Sequence, residues 1–148
     1  MRNVAMALLL ISQSFAAGAE DLLPSGWHLS QLSKGNNIEA DLSGAGHMER
    51  AVLVTDGDHS SVVAFIYGPD GMDPLKLFDT VHDPRTLTLK LAPPGEYRTA
   101  CAKGYLGCQN DEPESVVLDR PTLSFSDENV EILFVLTKGA VKRIWLSD

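Results

Sequence analysis

The stretch "ERAVLVTDGDHSSVVAFIY", Glu49 to Tyr67, decides the fold. Two runs rich in β-branched and aromatic residues, "ERAVLVT" and "SVVAFIY", flank the turn "DGDHS". Its Asp56-Gly57 pair is a strong hairpin signal. Downstream come the loop "GPDGMDP" and two further strand-like runs, "LKLFDTV" and "TLTLKLA"; in the second, Leu87, Leu89 and Leu91 fall on one face. The segment "PPGEY", Pro93 to Tyr97, places proline and glycine where a type II turn wants them and launches "EYRTACA". "SVVL", "TLSFS", "VEILFVLT" and "VKRIWLS" complete the series. In "VEILFVLT", Val130, Ile132, Phe134 and Leu136 share one face while Leu133 and Val135 occupy the other, the pattern of a strand buried on both sides.

Upstream of the hairpin, "DLLPSGWHLSQLSKGNN" is interrupted by Pro24, Gly26 and Gly35, and leaves room for at most one short helix around His28 to Ser33. Trp27 and Trp145 each lie beside an apolar run and are expected in the core or at its edge. The expected fold is all-β: a single antiparallel β-sandwich or curved meander of about eight or nine short strands with at most one short helix. The chain shows no internal repeat, low-complexity tract or interdomain linker.

Residues 1–19 read as a signal peptide. Arg2 supplies the positive start, "VAMALLLI" the apolar core and "AGA", Ala17 to Ala19, the small-residue cleavage site. The apolar run falls short of the roughly 20 residues that span a bilayer. No cysteine follows it, so no lipid or membrane anchor is expected. Cleavage leaves residues 20–148 as one β domain of 129 residues, with 11 basic and 20 acidic side chains and a net charge of −9. An acidic chain argues against nucleic acid and anionic membrane as partners and favours a basic one. Export also makes a disulfide between Cys101 and Cys108 the expected state of the two cysteines. Closing so short a loop stabilises by about 2.5 kcal/mol in the chain-entropy account.

A second stretch carries the candidate chemistry: "EADLSGAGHMERAVLV", Glu39 to Val54. Counted from Asp41, the first, third, fifth and ninth positions hold Asp41, Ser43, Ala45 and Glu49, with Gly44 and Gly46 between them. This resembles the FG-GAP/VCBS-type repeat, whose calcium loop runs D-x-N-G-D-G-x-x-D before an apolar strand. The resemblance covers about fifteen residues. It implies a calcium site at Asp41, Ser43 and Glu49, but Ala45 stands where the family has its central aspartate and Ser43 is a weak ligand. Such loops usually recur in propeller blades; here the loop occurs once, so the family's fold is not carried over. The expectation is a degenerate loop kept as a turn, with no cofactor. The stretch from Leu91 to Tyr105, "LAPPGEYRTACAKGY", with "IWLSD" near the end, is similar to a group of small exported bacterial proteins that carry one such loop. That group implies no firm activity.

No nucleophile elbow, phosphate-cradling loop or dinucleotide fingerprint is present. His28, His47, His59 and His82 share no ligand spacing, and "DGDH" and "HDP" read as turn chemistry. The chain is therefore expected not to be an enzyme. The loop "CAKGYLGC" places Lys103, Tyr105 and Leu106 on a short stapled turn. These are candidate partner-binding residues, because a rigid loop presenting an aromatic and an aliphatic side chain loses little entropy on docking. The competing reading has Tyr105 and Leu106 fold back over the edge of the core. The expected function is a periplasmic or secreted protein that binds another protein, as an inhibitor or immunity protein against a toxin or cell-wall hydrolase. The alternative is a calcium- or carbohydrate-binding accessory domain derived from an FG-GAP/VCBS-type repeat.

Overall fold

The central hairpin forms as its sequence directs. β3 (Glu49–Thr55) and β4 (Ser60–Gly68) pair antiparallel from Arg50 opposite Phe65 to Thr55 opposite Ser60. Asp56 shapes the turn: its Oδ1 accepts from the Asp58 and His59 amides at 3.0 and 2.7 Å, while Gly57 takes the left-handed φ of +104°. This structure, a computed structural model, describes residues 21–33, 35–104, 107–109, 111–137 and 140–147. The proposed signal peptide, residues 1–19, and the loop residues Tyr105 and Leu106 lie outside the described residues.

Eleven strands are present among the described residues, in three antiparallel sheets. The first sheet holds β1 (His28–Leu29), β2 (Asn37–Ala40), β3, β4 and β5 (Gly71–Thr80). β1 and β2 lie end to end along the same edge of β3, and β5 forms the opposite edge. The second sheet runs in the order β11 (Ala140–Ser147), β10 (Glu131–Thr137), β9 (Thr122–Ser126), β6 (Thr88–Ala92). β7 (Gly95–Arg98) and β8 (Ser115–Leu118) make a separate two-stranded ribbon. One short helix, α1 (Ala100–Lys103), follows β7.

The two large sheets face each other across the main core. Ala51, Leu53, Val62 and Ala64 meet Leu89, Leu123, Phe125, Ile132 and Phe134 there. What makes so small a protein well packed is that each sheet is also covered behind. Val52, Val54, Val63 and Phe65, on the back of the first sheet, are roofed by Leu23, Trp27, Leu29 and Met72. Leu133, Ile144 and Leu146, on the back of the second, pack with Leu118 and with Tyr97 and Val116 of the ribbon. The double-sided pattern read in β10 is realised: Ile132 and Phe134 enter one core and Leu133 the other, all fully buried. Leu87 and Leu89 are buried and Leu91 packs beside them, as their shared face requires.

Three local expectations are corrected. His28 and Leu29 form β1 rather than a helix, because the edge of β3 offers Thr55 and Val54 as pairing partners. Among the described residues the one α-helix instead starts in the second half of "EYRTACA", where the short disulfide loop bends the chain. The segment Gly71–Pro74, expected as loop, extends β5, and its hairpin with β4 closes through Gly68 opposite Gly71. Pro74 is tolerated there because β5 is a sheet edge, where a missing amide leaves no ladder bond unmade.

Candidate functional site

The Asp41–Glu49 loop delivers the chain into β3, and Gly44 and Gly46 take the left-handed φ values of +74° and +82° that the turn demands. The loop's acidic side chains face inward onto its own backbone. Glu49, 1% exposed, accepts from the Ser43 amide at 2.7 Å, the Ser43 hydroxyl at 3.0 Å and the Tyr67 amide at 3.2 Å. Asp41 Oδ2 accepts from the Gly46 amide at 3.0 Å, and its Oδ1 is buried with no hydrogen-bond partner among the described residues. Arg120 closes the loop from outside. A Cβ on Gly44 would stand 1.9 Å from its Nη1, and its Nη2 donates to the Leu136 carbonyl at 2.9 Å.

Calcium takes six to eight oxygen ligands. The donor set here does not fit that demand. Both Glu49 oxygens already serve the loop, Ser43 is turned to Glu49, Ala45 brings only a methyl group, and Asp41 Oδ1 is a single free donor. Among the described residues no three His, Cys, Asp or Glu side chains gather as a metal site.

Cys101 and Cys108 form a disulfide with Cα atoms 4.7 Å apart. Such a bond is consistent with a location outside the cytoplasm. The base of the stapled segment is held from several sides. Lys103 Nζ donates to the Leu146 carbonyl in β11 at 2.7 Å, Arg98 Nη2 to the Ala102 carbonyl at 2.8 Å, and the Thr99 hydroxyl to the Pro113 carbonyl at 2.8 Å. Lys103 is thus a structural tie as well as an exposed cation.

A third region was not legible as a unit in the sequence. Trp27, His59, Phe78, Asp79, Thr80 and His82 line an open cleft of about 480 Å³ at the end of the first sheet. Both histidines present Nδ1 to an aspartate: His59 to Asp56 at 3.4 Å and His82 to Asp127 at 2.6 Å. Asp79 accepts from the Ser61 hydroxyl and pairs with Lys76 at 2.9 Å. Burial presses Asp79 toward its neutral form, but Ser61 and Lys76 outweigh it and hold the carboxyl below the ordinary aspartate range. The same balance governs Asp127, where the Asn129 and Val130 amides and His82 prevail over burial. Asp56 is lowered chiefly by the His59 amide. The signal available in the sequence was two histidines in separate turns, and only the fold brings them to one cleft. Of the other two, His28 is exposed in β1 and His47 packs its ring 5.2 Å from that of Tyr67.

No protein-family model, no curated protein and no solved structure matches this chain. Its class is defined by its own architecture: an all-β, disulfide-stapled antiparallel sandwich.

Proposed function

We propose that this chain is a non-enzymatic protein of the cell envelope, periplasmic or secreted, that binds another protein through its stapled segment. In its sharpest form it is an inhibitor or immunity protein that blocks a toxin or cell-wall hydrolase. The observation that supports this reading is the fixed base of the segment. A disulfide, the Lys103 bond to β11 and the Arg98 and Thr99 bonds hold it to the sandwich. A segment fixed in this way gives up little conformational entropy on docking, which leaves more of the contact energy as affinity. The acidic surface would steer a basic partner toward it.

The test is capture of a stoichiometric partner by the tagged mature protein in the presence of chelator, followed by an activity assay on that partner. Tyr105→Ala and Leu106→Ala are each expected to weaken binding by about tenfold or more, as anchor residues do. Unchanged inhibition by both variants would remove the segment as the anchor.

A further inference from the structure

We propose that the cleft between Trp27 and the end of β5 binds a neutral saccharide. Its residues are separate from those of the stapled segment, so this inference does not rest on the protein-binding reading.

The walls are aromatic and apolar. The half-buried indole of Trp27 and the ring of Phe78 line it, and Val81, 73% exposed, stands at its rim. Phe78 is held in place by ring contacts with Phe125 at 5.3 Å and Trp145 at 5.9 Å. A pyranose offers such walls the polarised C–H bonds of its ring, which meet the negative face of an aromatic system. The cleft volume of about 480 Å³ suits a mono- or disaccharide-sized ligand, within the roughly 300–1,000 Å³ of small-molecule sites.

The polar groups then select the charge of the occupant. The carboxylate that lines the cleft and the two behind its histidines are already matched: Asp79 by Lys76 and Ser61, Asp56 by His59 and two amides, Asp127 by His82 and two amides. A cation would have to displace one of these partners. An anion would meet the Asp79 carboxylate, two imidazoles each backed by an aspartate, and a single lysine already engaged with Asp79. A neutral polyol breaks nothing. It can donate its hydroxyls to Nε2 of each histidine, the nitrogen opposite the aspartate-held Nδ1, and it can use the spare donor and acceptor capacity of the Thr80 hydroxyl, which already accepts from the His82 amide at 3.1 Å. The aspartates fix the orientation of both imidazoles in advance, as carboxylates orient histidines in other polar sites.

The experiment is calorimetric titration of the purified protein with maltose, cellobiose and the β-1,4 disaccharide of N-acetylglucosamine, with a lysine oligopeptide as the cationic comparison. At least one neutral sugar is expected to bind. His59→Ala and His82→Gln are each expected to weaken that sugar by about tenfold, the worth of one good hydrogen bond. Trp27→Ala would test the aromatic wall, and the two histidine variants keep the test decisive if that variant fails to fold. The proposal is overturned if no sugar binds at about 10 mM, ten times a millimolar Kd. It is equally overturned if sugar binding survives both histidine changes, or if the lysine peptide occupies the cleft in place of sugar.

Discussion

Replacing Glu49 with alanine removes the acceptor that holds the Asp41–Glu49 loop to the rest of the first sheet. Two backbone donors, the Ser43 and Tyr67 amides, lose their partner, and so does the Ser43 hydroxyl. A buried donor left unpaired costs about 1–3 kcal/mol; Ser43 is half-buried, Tyr67 is exposed and the hydroxyl can rotate toward water, so the two amides together set a loss near the low end, about 2 kcal/mol. That is a sizeable part of the roughly 5–15 kcal/mol by which a domain is stable. Glu49→Gln keeps one acceptor oxygen and turns an amide donor toward another donor, for a loss of about 1 kcal/mol. Urea unfolding reads both: at a slope of about 2 kcal/mol per molar, alanine lowers the midpoint by about 1 M and glutamine by about half that. The parent's midpoint is expected to be the same in calcium and in chelator, because the oxygens a metal would use are bonded to the loop. An alanine shift below about 0.5 M would refute the hydrogen-bond account. A calcium-dependent rise abolished by Asp41→Ala would show instead that the loop still coordinates through Asp41.

The neighbouring glycines separate two costs. Gly44→Ala and Gly46→Ala both force a left-handed residue, about 1–2 kcal/mol, but only at Gly44 does the new methyl meet Arg120, so Gly44→Ala should cost roughly twice as much in the same assay. Equal losses would mean that Arg120 simply moves aside. Asp127 has a folded-state pKa below its ordinary value, so its contribution is present above the unfolded pKa of about 3.9 and disappears as pH falls through the lowered folded value. Unfolding midpoints should therefore drop in acid, and Asp127→Asn should flatten that drop; an equal acid loss in the variant would refute the assignment. Reducing the Cys101–Cys108 bond should cost about 2.5 kcal/mol and weaken partner capture while leaving the strand content seen by circular dichroism. A loss of strand signal would make the staple a requirement of the whole fold.

The strands that could be read in advance are the continuous apolar runs that are buried on both faces. β3, β4 and β10 each carry a run of consecutive buried residues, and hydrophobicity alone marks them. β1 and β2 carried no such mark. "HL" and "NIEA" are short, mostly half-exposed, and exist because β3 has an open edge to which they can bond. The first turn of β5 was hidden for the opposite reason: its glycine, aspartate and proline signal a loop, and the sheet-edge position makes them harmless. The turns were better marked. Asp83 caps the 3-10 turn Pro84–Thr86 by accepting from the Arg85 amide at 2.9 Å, the chemistry that "HDP" suggested. The disulfide was legible from compartment and spacing. The cleft was not, since its aromatics come from the N-terminal segment and β5 and its histidines from two turns, and nothing in linear spacing records that proximity.

The loop that looked most like a metal site is better understood as a clamp between layers. Glu49 opens β3 yet bonds the Tyr67 amide near the end of β4, so one side chain ties the loop to two strands of the first sheet. Arg120 leads into β9 of the second sheet, presses its guanidinium against Gly44 and holds the Leu136 carbonyl in β10. Loop, first sheet and second sheet are thereby joined at one end of the main core through side-chain contacts. This arrangement also explains why both glycines are needed. Gly46 lets its amide reach Asp41, and Gly44 leaves the space that the arginine fills. An intramolecular cation and a set of backbone amides hold this turn. Stability of that end of the sandwich then rests on contacts within the chain, which leaves the stapled segment and the aromatic cleft as the two places proposed to meet a partner or ligand.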